Sequence, residues 1–419
     1  MKDNVLFVNI TSQGLVQIAN YLIPLLLIPY VTHKLGTDAF GKASYAQNIG
    51  IFLTLLVNYG FDYSATQQVA LNKEDHAKLQ TIFSTVILFK LFLFLLSLLI
   101  VGVLYLTVEK VHADVAPFLV VALFNLGWVL FPTWFFQGVE RMAKMSMFTF
   151  FVKLLGALLV IAMVSKPEDY CKYLVALTVA NVLVGCYSCY YLMKQYDLKW
   201  QAPEPFSTSE SVRKGFPIFL NAILINCNTC LGVFLMGFYM SDAQIGIYAG
   251  TQKIITAIMM VSYQPLMIAL FPRVSRKFHD SKYEGWLFFK KCLGYIALYA
   301  TAVSVATYVF APLAVKIILG SQFADAVSLL RLLAVYPLLA SLASTLTVHG
   351  LYGLQLQRFA PLIGGAVCVT SVVFNYLFVP TMGAVGAIYA WLICEVVEIS
   401  IAVSLLMWKK GSICLPLSK

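Results

Sequence analysis

The chain has 419 residues, 60% of them hydrophobic and 11% charged, with a mean hydropathy of +0.83 and a formal charge of +10. Soluble domains carry about 25% charged residues, which excludes a water-soluble body for most of this sequence. The basic residues sit in short gaps between apolar runs and not on one face, so membrane topology explains the charge and a nucleic-acid partner is not expected.

Apolar runs of about 20 residues match the length needed to cross a hydrocarbon core of about 30 Å. They predict spans near residues 8–31, 44–63, 81–107, 115–138, 146–164 and 172–193. A polar stretch follows from Lys194 to Lys214, holding Pro203, Glu204, Pro205 and Ser207, and reads as a cytoplasmic linker. Six further runs are expected near 216–240, 246–272, 288–310, 327–350, 359–380 and 383–407. The fold expected is an all-α integral membrane protein of about 12 transmembrane helices, in two pseudo-symmetric six-helix lobes (1–193 and 215–419) around a central cavity.

Charge distribution orients this array. Alternate loops hold Lys73, Lys78, Arg141, Lys144, Lys194, Lys199, Arg213, Lys214, the cluster from Arg273 to Lys291, Arg358 and the C-terminal lysines. The opposite loops hold only Lys34, Lys42, Lys110, Lys166, Lys172 and Lys316. Positive loops face the cytoplasm, so both termini are expected there, with the first apolar run retained as a span because no small-residue cleavage site follows it. A shift of about 205 residues lays Leu35–Gln47 against Met240–Gln252, pairing Gly41 with Gly246 and Gln47 with Gln252, as in a parallel repeat.

Ionisable residues inside spans are costly and mark functional sites by default. Here they are Asp62, Lys90, Lys153, Lys253, Arg331, Glu395 and Glu398. Three deep lysines would make a chamber that attracts anions. The plainer reading has some of them paired with Glu395 or Glu398, which lie at i and i+3 on one helix face. Arg331, near a span end, suits interfacial anchoring as well as substrate contact. Asp62, with the two glutamates, is a candidate for ion coupling, against the reading of a solvated rim carboxylate. Amides add a second set. Asn9, Gln13, Gln17 and Asn20 share one face of the first helix, Gln47 lies in the second, and Asn226, Asn228 and Gln252 lie in the second half. Amides hydrogen-bond sugar hydroxyls as readily as they join helices.

Catalytic motifs are not found. Cys186–Cys189 and Cys227–Cys230 form two CxxC pairs, but both lie in or beside apolar runs without a His or acid to complete a metal site, so packed thiols are expected and no cofactor. The five histidines are scattered and the loops are short, which argues against an enzyme.

Three segments carry a family resemblance: Tyr21–Tyr30 followed by Leu35–Gly41, the run Trp134-Phe135-Phe136-Gln137-Gly138-Val139-Glu140-Arg141, and Gly383-Ala384-Val385-Gly386-Ala387. With these the chain resembles the O-antigen flippases (Wzx family) of the multidrug/oligosaccharidyl-lipid/polysaccharide exporter superfamily. The resemblance implies alternating-access movement of an undecaprenyl-diphosphate-linked oligosaccharide from the cytoplasmic to the periplasmic leaflet of the bacterial inner membrane, with a polysaccharide polymerase and chain-length regulator as partners. Buried lysines would meet the diphosphate and amides the sugars. A multidrug or metabolite exporter of the same superfamily is the alternative, expecting acidic cavity residues, and a membrane polymerase or ligase is a further one.

Overall fold

The computed structural model describes the backbone of residues 2–201 and 205–414, and the side chains of residues 23–201, 213 and 215–408. Among these every regular element is helical. The chain divides into two compact units, Met1–Ile223 and Leu224–Lys419.

The first unit holds α1 (Lys2–Asn58), α2 (Phe61–Leu71), α3 (His76–Thr107), α4 (Glu109–Ala113), α5 (Ala116–Leu130), α6 (Thr133–Gly138), α7 (Met142–Met163) and α8 (Tyr170–Gln195). The long rod α1 is two helices joined without a loop, broken where Gly36 takes φ 71° and ψ −175°. A side chain would resist that conformation. The first two expected spans therefore share this rod, and α2 is a separate short helix that starts after the left-handed Gly60. Helix α3 starts at Asp75, whose carboxylate accepts the Lys78 backbone N–H at 3.1 Å; this is an ordinary N-cap.

Helix α5 packs on α8 and α1 packs on α7. At the α5–α8 crossing Gly127 and Gly185 bring the backbones together, and Asn181 Nδ2 donates to the Phe124 carbonyl at 2.9 Å. Small residues and interhelical hydrogen bonds serve here as the hydrophobic effect does in water. The core of this unit is aromatic, with Phe83, Trp134, Phe135, Phe136 and Phe148 each no more than 1% exposed.

Helix α9 (Pro205–Tyr239) begins in the first unit and ends in the second. Residues 205–214, expected in a linker, belong to its opening turns, because nothing from Phe206 to Lys214 breaks a helix. Then come α10 (Asp242–Ser262), α11 (Gln264–Asp280), α12 (Lys282–Ile318), α13 (Ala326–Leu332), α14 (Tyr336–Ser344), a π-helical stretch Thr345–Tyr352, and α15 (Ala360–Cys414). Ser241 and Gln244 form a reciprocal capping box at the start of α10. The expected span 246–272 is divided at Tyr263, where α11 starts and carries Arg273, Arg276 and Lys277 in its second half. Rod α15 breaks at Gly383, with φ 58°.

Among the described residues, nine helices are long and apolar enough to cross a membrane. One of the nine, Gln357–Trp408, contains the Gly383 break and spans two of the expected runs.

Candidate functional site

In the first unit two of the expected intramembrane charges, Lys90 and Asp62, lie around the break between α5 and α6. Trp128, near the end of α5, would pass its carbonyl to the amide four residues on, but that residue is Pro132 and has no N–H. Lys90, at mid-length in α3 and 1% exposed, donates from Nζ to this orphaned carbonyl at 2.9 Å. A cation at a helix C-terminus is also favoured by the helix dipole. Lys90 thus closes a helix end, and in this conformation it is hidden from any ligand.

Asp62 stands on the other side of the same break, in the first turn of α2. Its Oδ1 accepts from Thr133 Oγ1 at 3.0 Å. Thr66, one turn on, donates to the Asp62 carbonyl at 2.6 Å and to the Trp134 carbonyl at 3.1 Å. Trp134–Gly138 of the Trp134–Arg141 run therefore lies in the short helix α6 pinned on α2, with a Cβ on Gly138 placed 2.6 Å from Val69. Glu140, in a left-handed turn at φ 60°, reaches Lys73 at 2.6 Å.

Three loops meet at this end. His76 Nε2 lies 2.8 Å from the Tyr196 carbonyl, while Ser84 Oγ contacts the backbone of Lys199 and Gln201. The structure thus gathers Lys73, Arg141, Lys144, Lys194 and Lys199 at one end of the unit. At the other end Asp169 binds Lys172 at 2.7 Å, Tyr170 donates to Asp114, and Tyr30 donates to the Val164 carbonyl at 2.7 Å.

Lys153 is half-buried in α7 and makes no ion pair or hydrogen bond among the described residues. Gln47 Nε2 donates to Tyr173 OH at 3.2 Å, joining α1 to α8. The amide stripe Asn9, Gln13, Gln17 and Asn20 lies outside the residues whose side chains are described.

The second unit brings a different set together. Glu395, 7% exposed, accepts from Asn228 Nδ2 at 3.5 Å, and Glu398 accepts from Thr347 Oγ1 at 2.9 Å. Neither glutamate is in an ion pair among the described residues. Beside them Ser371 Oγ donates to the Cys227 carbonyl at 3.2 Å and Asn375 Nδ2 donates to the Ser371 carbonyl at 2.8 Å. Gln252 Nε2 donates to the Thr229 carbonyl at 2.9 Å, holding α10 to α9, with half-buried Lys253 next to it in sequence. Helices α9 and α15 and the π-helical turn thus converge on two carboxylates. Thr347 and Asn375 carry no charge and no motif, so sequence reading passed over them; the π-helical turn, which shifts the side-chain register, could not be anticipated from residue types. Arg331 stands apart, exposed, with its guanidinium 5.4 Å from the Tyr308 ring centroid. The two CxxC pairs are free thiols, and no His, Cys, Asp or Glu cluster among the described residues could hold a metal.

Comparison with known proteins extends this picture. The family described as "Polysaccharide biosynthesis protein" matches residues 6–278. A Shigella dysenteriae relative bearing the name O-antigen transporter is 26% identical over 402 residues, covering 94% of this chain and 97% of its own length. A relative of the same name in Escherichia coli K12 is 26% identical over 351 residues, covering 83% of this chain and 82% of its own. Among solved structures, an inward-facing multidrug resistance MATE family transporter of the MOP superfamily superposes with TM-score 0.68 at 13% identity, covering 97% of this chain and 98% of that one. The lipid II flippase MurJ, in an inward closed conformation, gives TM-score 0.71 at 12% identity, covering 96% and 87%. These two likenesses show the fold, an all-helical membrane architecture. The match to residues 6–278 settles the family: this chain belongs to the polysaccharide biosynthesis proteins.

Proposed function

We propose that this protein is a flippase for a lipid-linked oligosaccharide, moving an undecaprenyl-diphosphate-linked repeat unit of a surface polysaccharide across the bacterial inner membrane by alternating access. The observation that carries the reading is the family match, supported by relatives named O-antigen transporters that align over most of their own length. The chemistry is consistent with it. A flippase needs no nucleophile or metal, and what it does need is internal polar groups that exchange partners between conformations. The groups assigned this role are Lys153 with the amides of α1 in the first unit, and Lys253, Gln252, Asn226 and Asn228 in the second. Lysine meets a diphosphate as a point charge. In this reading Glu395 and Glu398 couple the cycle to an ion gradient, since intramembrane carboxylates commonly form such relays.

The experiment is complementation of a deletion strain, scored for surface polysaccharide and for the leaflet that holds the lipid-linked unit. The strain should trap the unit on the cytoplasmic leaflet, and Lys253→Ala, although inserted at normal levels, should fail to rescue it. Accumulation on the periplasmic leaflet would refute transport in favour of polymerisation or ligation. Full rescue by Lys253→Ala and Lys253→Glu would remove that residue from the site.

A further inference from the structure

The last two turns of α8 present Tyr187, Tyr190, Tyr191, Lys194 and Gln195, spaced i, i+3, i+4, i+7 and i+8 and so on one helix face. Together they line an open groove of about 370 Å³. Helix α7 packs beside it: Lys144 Nζ lies 5.4 Å from the Tyr191 ring centroid, and Phe148 meets the edges of Tyr187 and Tyr191 at 5.9 and 5.7 Å.

Tyr191 packs on the aromatic core, but packing alone does not explain why the polar ends of these residues share one exposed face. Tyr187 and Tyr190 are 58% and 60% exposed. None of the three tyrosine hydroxyls makes a hydrogen bond among the described residues, and neither Lys144 nor Lys194 has an acidic partner there. At the opposite end of the same unit, Lys42 and Lys172 each meet an aspartate. Two cations without an acidic partner and three phenol hydroxyls without a hydrogen bond, among the described residues, are therefore gathered in and beside one groove.

Position indicates the occupant. The groove lies at the end where His76 binds the Tyr196 carbonyl and the basic loops gather. From it, Val179 and Leu183 continue the same face of α8 at 40% and 55% exposure, while Phe151 and Leu158 continue the Lys144–Phe148 face of α7 at 49% and 56%. A polar, cationic seat thus opens onto two exposed apolar tracks. Tyrosines at the interface and juxtamembrane cations are the features that hold anionic lipid headgroups.

We propose that the groove on α8, flanked by Lys144 of α7, seats one anionic glycerophospholipid of the basic-loop leaflet. Its phosphodiester lies against Lys144, Lys194 and the tyrosine hydroxyls, and its acyl chains lie along Val179–Leu183 and Phe151–Leu158. The seat is separate from the translocated cargo and holds whichever cargo is carried.

The test uses the full-length protein, purified and placed in phosphatidylcholine nanodiscs, with bound lipid counted by native mass spectrometry. The probes are phosphatidylglycerol, inorganic phosphate and a polyprenyl monophosphate. Phosphatidylglycerol should be retained at one copy in preference to phosphatidylcholine, and millimolar phosphate should not displace it. The double substitution Lys144→Gln/Lys194→Gln should weaken retention about thirtyfold, from about fivefold per surface cation, while Lys144→Arg/Lys194→Arg should retain it. Tyr190→Phe, which removes only a hydroxyl, should weaken it less. Unchanged affinity in the glutamine pair, equal retention of phosphatidylcholine, displacement by free phosphate, or preference for the polyprenyl monophosphate would each overturn the proposal. A melting profile confirms that the variants are folded; should the glutamine pair not be, the single substitution Lys194→Gln at an exposed position should weaken retention about fivefold, and unchanged retention would overturn the proposal.

Discussion

Replacing Gly127 by alanine probes the α5–α8 crossing directly. A Cβ at this position would lie 2.5 Å from Asn181 Nδ2, 2.6 Å from its Cγ and 2.8 Å from its backbone carbonyl carbon. Ordinary contact begins at 3.4 Å, so α8 must retreat or Asn181 must turn away. Retreat is opposed by Gly185, whose own Cβ would stand 2.8 Å from the Gly127 carbonyl oxygen. Overpacking of this kind costs about 1–3 kcal/mol, and losing the Asn181 bond to Phe124 adds about 1 kcal/mol. Alanine's better helix propensity returns about 1 kcal/mol. The net loss is about 2 kcal/mol, or roughly 4–8 °C in melting temperature for a unit of this size. Gly102 is the matched control, since a Cβ there meets nothing within 4 Å, and Gly102→Ala should leave the melting temperature unchanged or raise it. Melting of both variants in one mild detergent is the assay. A Gly127→Ala protein that melts at or above the wild type would refute the close-crossing argument.

Two further outcomes are expected. The Lys73 ammonium, hydrogen-bonded to Glu140, holds that carboxyl below its ordinary value of 4.5. Because the folded value is the lower one, the stabilisation is fully present above the ordinary value and disappears as pH falls through the depressed one. Wild type should therefore out-melt Glu140→Gln slightly at neutral pH and lose that advantage in acid; an advantage independent of pH would count against the ion pair. Amine-reactive labelling followed by peptide mapping should modify exposed Lys194 readily and spare Lys90, which is 1% exposed. Equal labelling of the two would show that the α5–α6 break opens freely.

Apolar length and loop charge made the membrane architecture legible, because lipid demands long helices with their backbone bonds satisfied internally. Where a helix breaks without a polar loop, the signal failed. Tyr263 ends α10 inside the expected run 246–272 with no charge to mark it, whereas Gly36 and Gly383 fall at the expected boundaries and only the direct joining of the helices there was not foreseen. The site was legible as a list of residues and not as a set of partners. Charge in an apolar run identified Glu395 and Glu398, yet their donors Asn228 and Thr347 come from α9 and a π-helical turn far away in the chain. Lys90 drew notice for the same reason, but its partner is a backbone carbonyl. That role was hidden because the signal was a proline four residues past Trp128.

The Lys90 cap also bears on how the chain enters the membrane. Helix α3 leaves the ribosome with its lysine at mid-length, and Trp128 is still unsynthesised. A lone lysine at a span centre costs about 2.5–3.5 kcal/mol on insertion scales, a cost the very apolar α3, at hydropathy 2.9, can carry alone. Helix α5 has the converse defect, a bare carbonyl at its end. Each helix relieves the other only when they stand side by side, so the natural unit of insertion is the α3–α5 hairpin. Biogenesis of the first unit would then turn on a short interval in which the third span waits for the fourth.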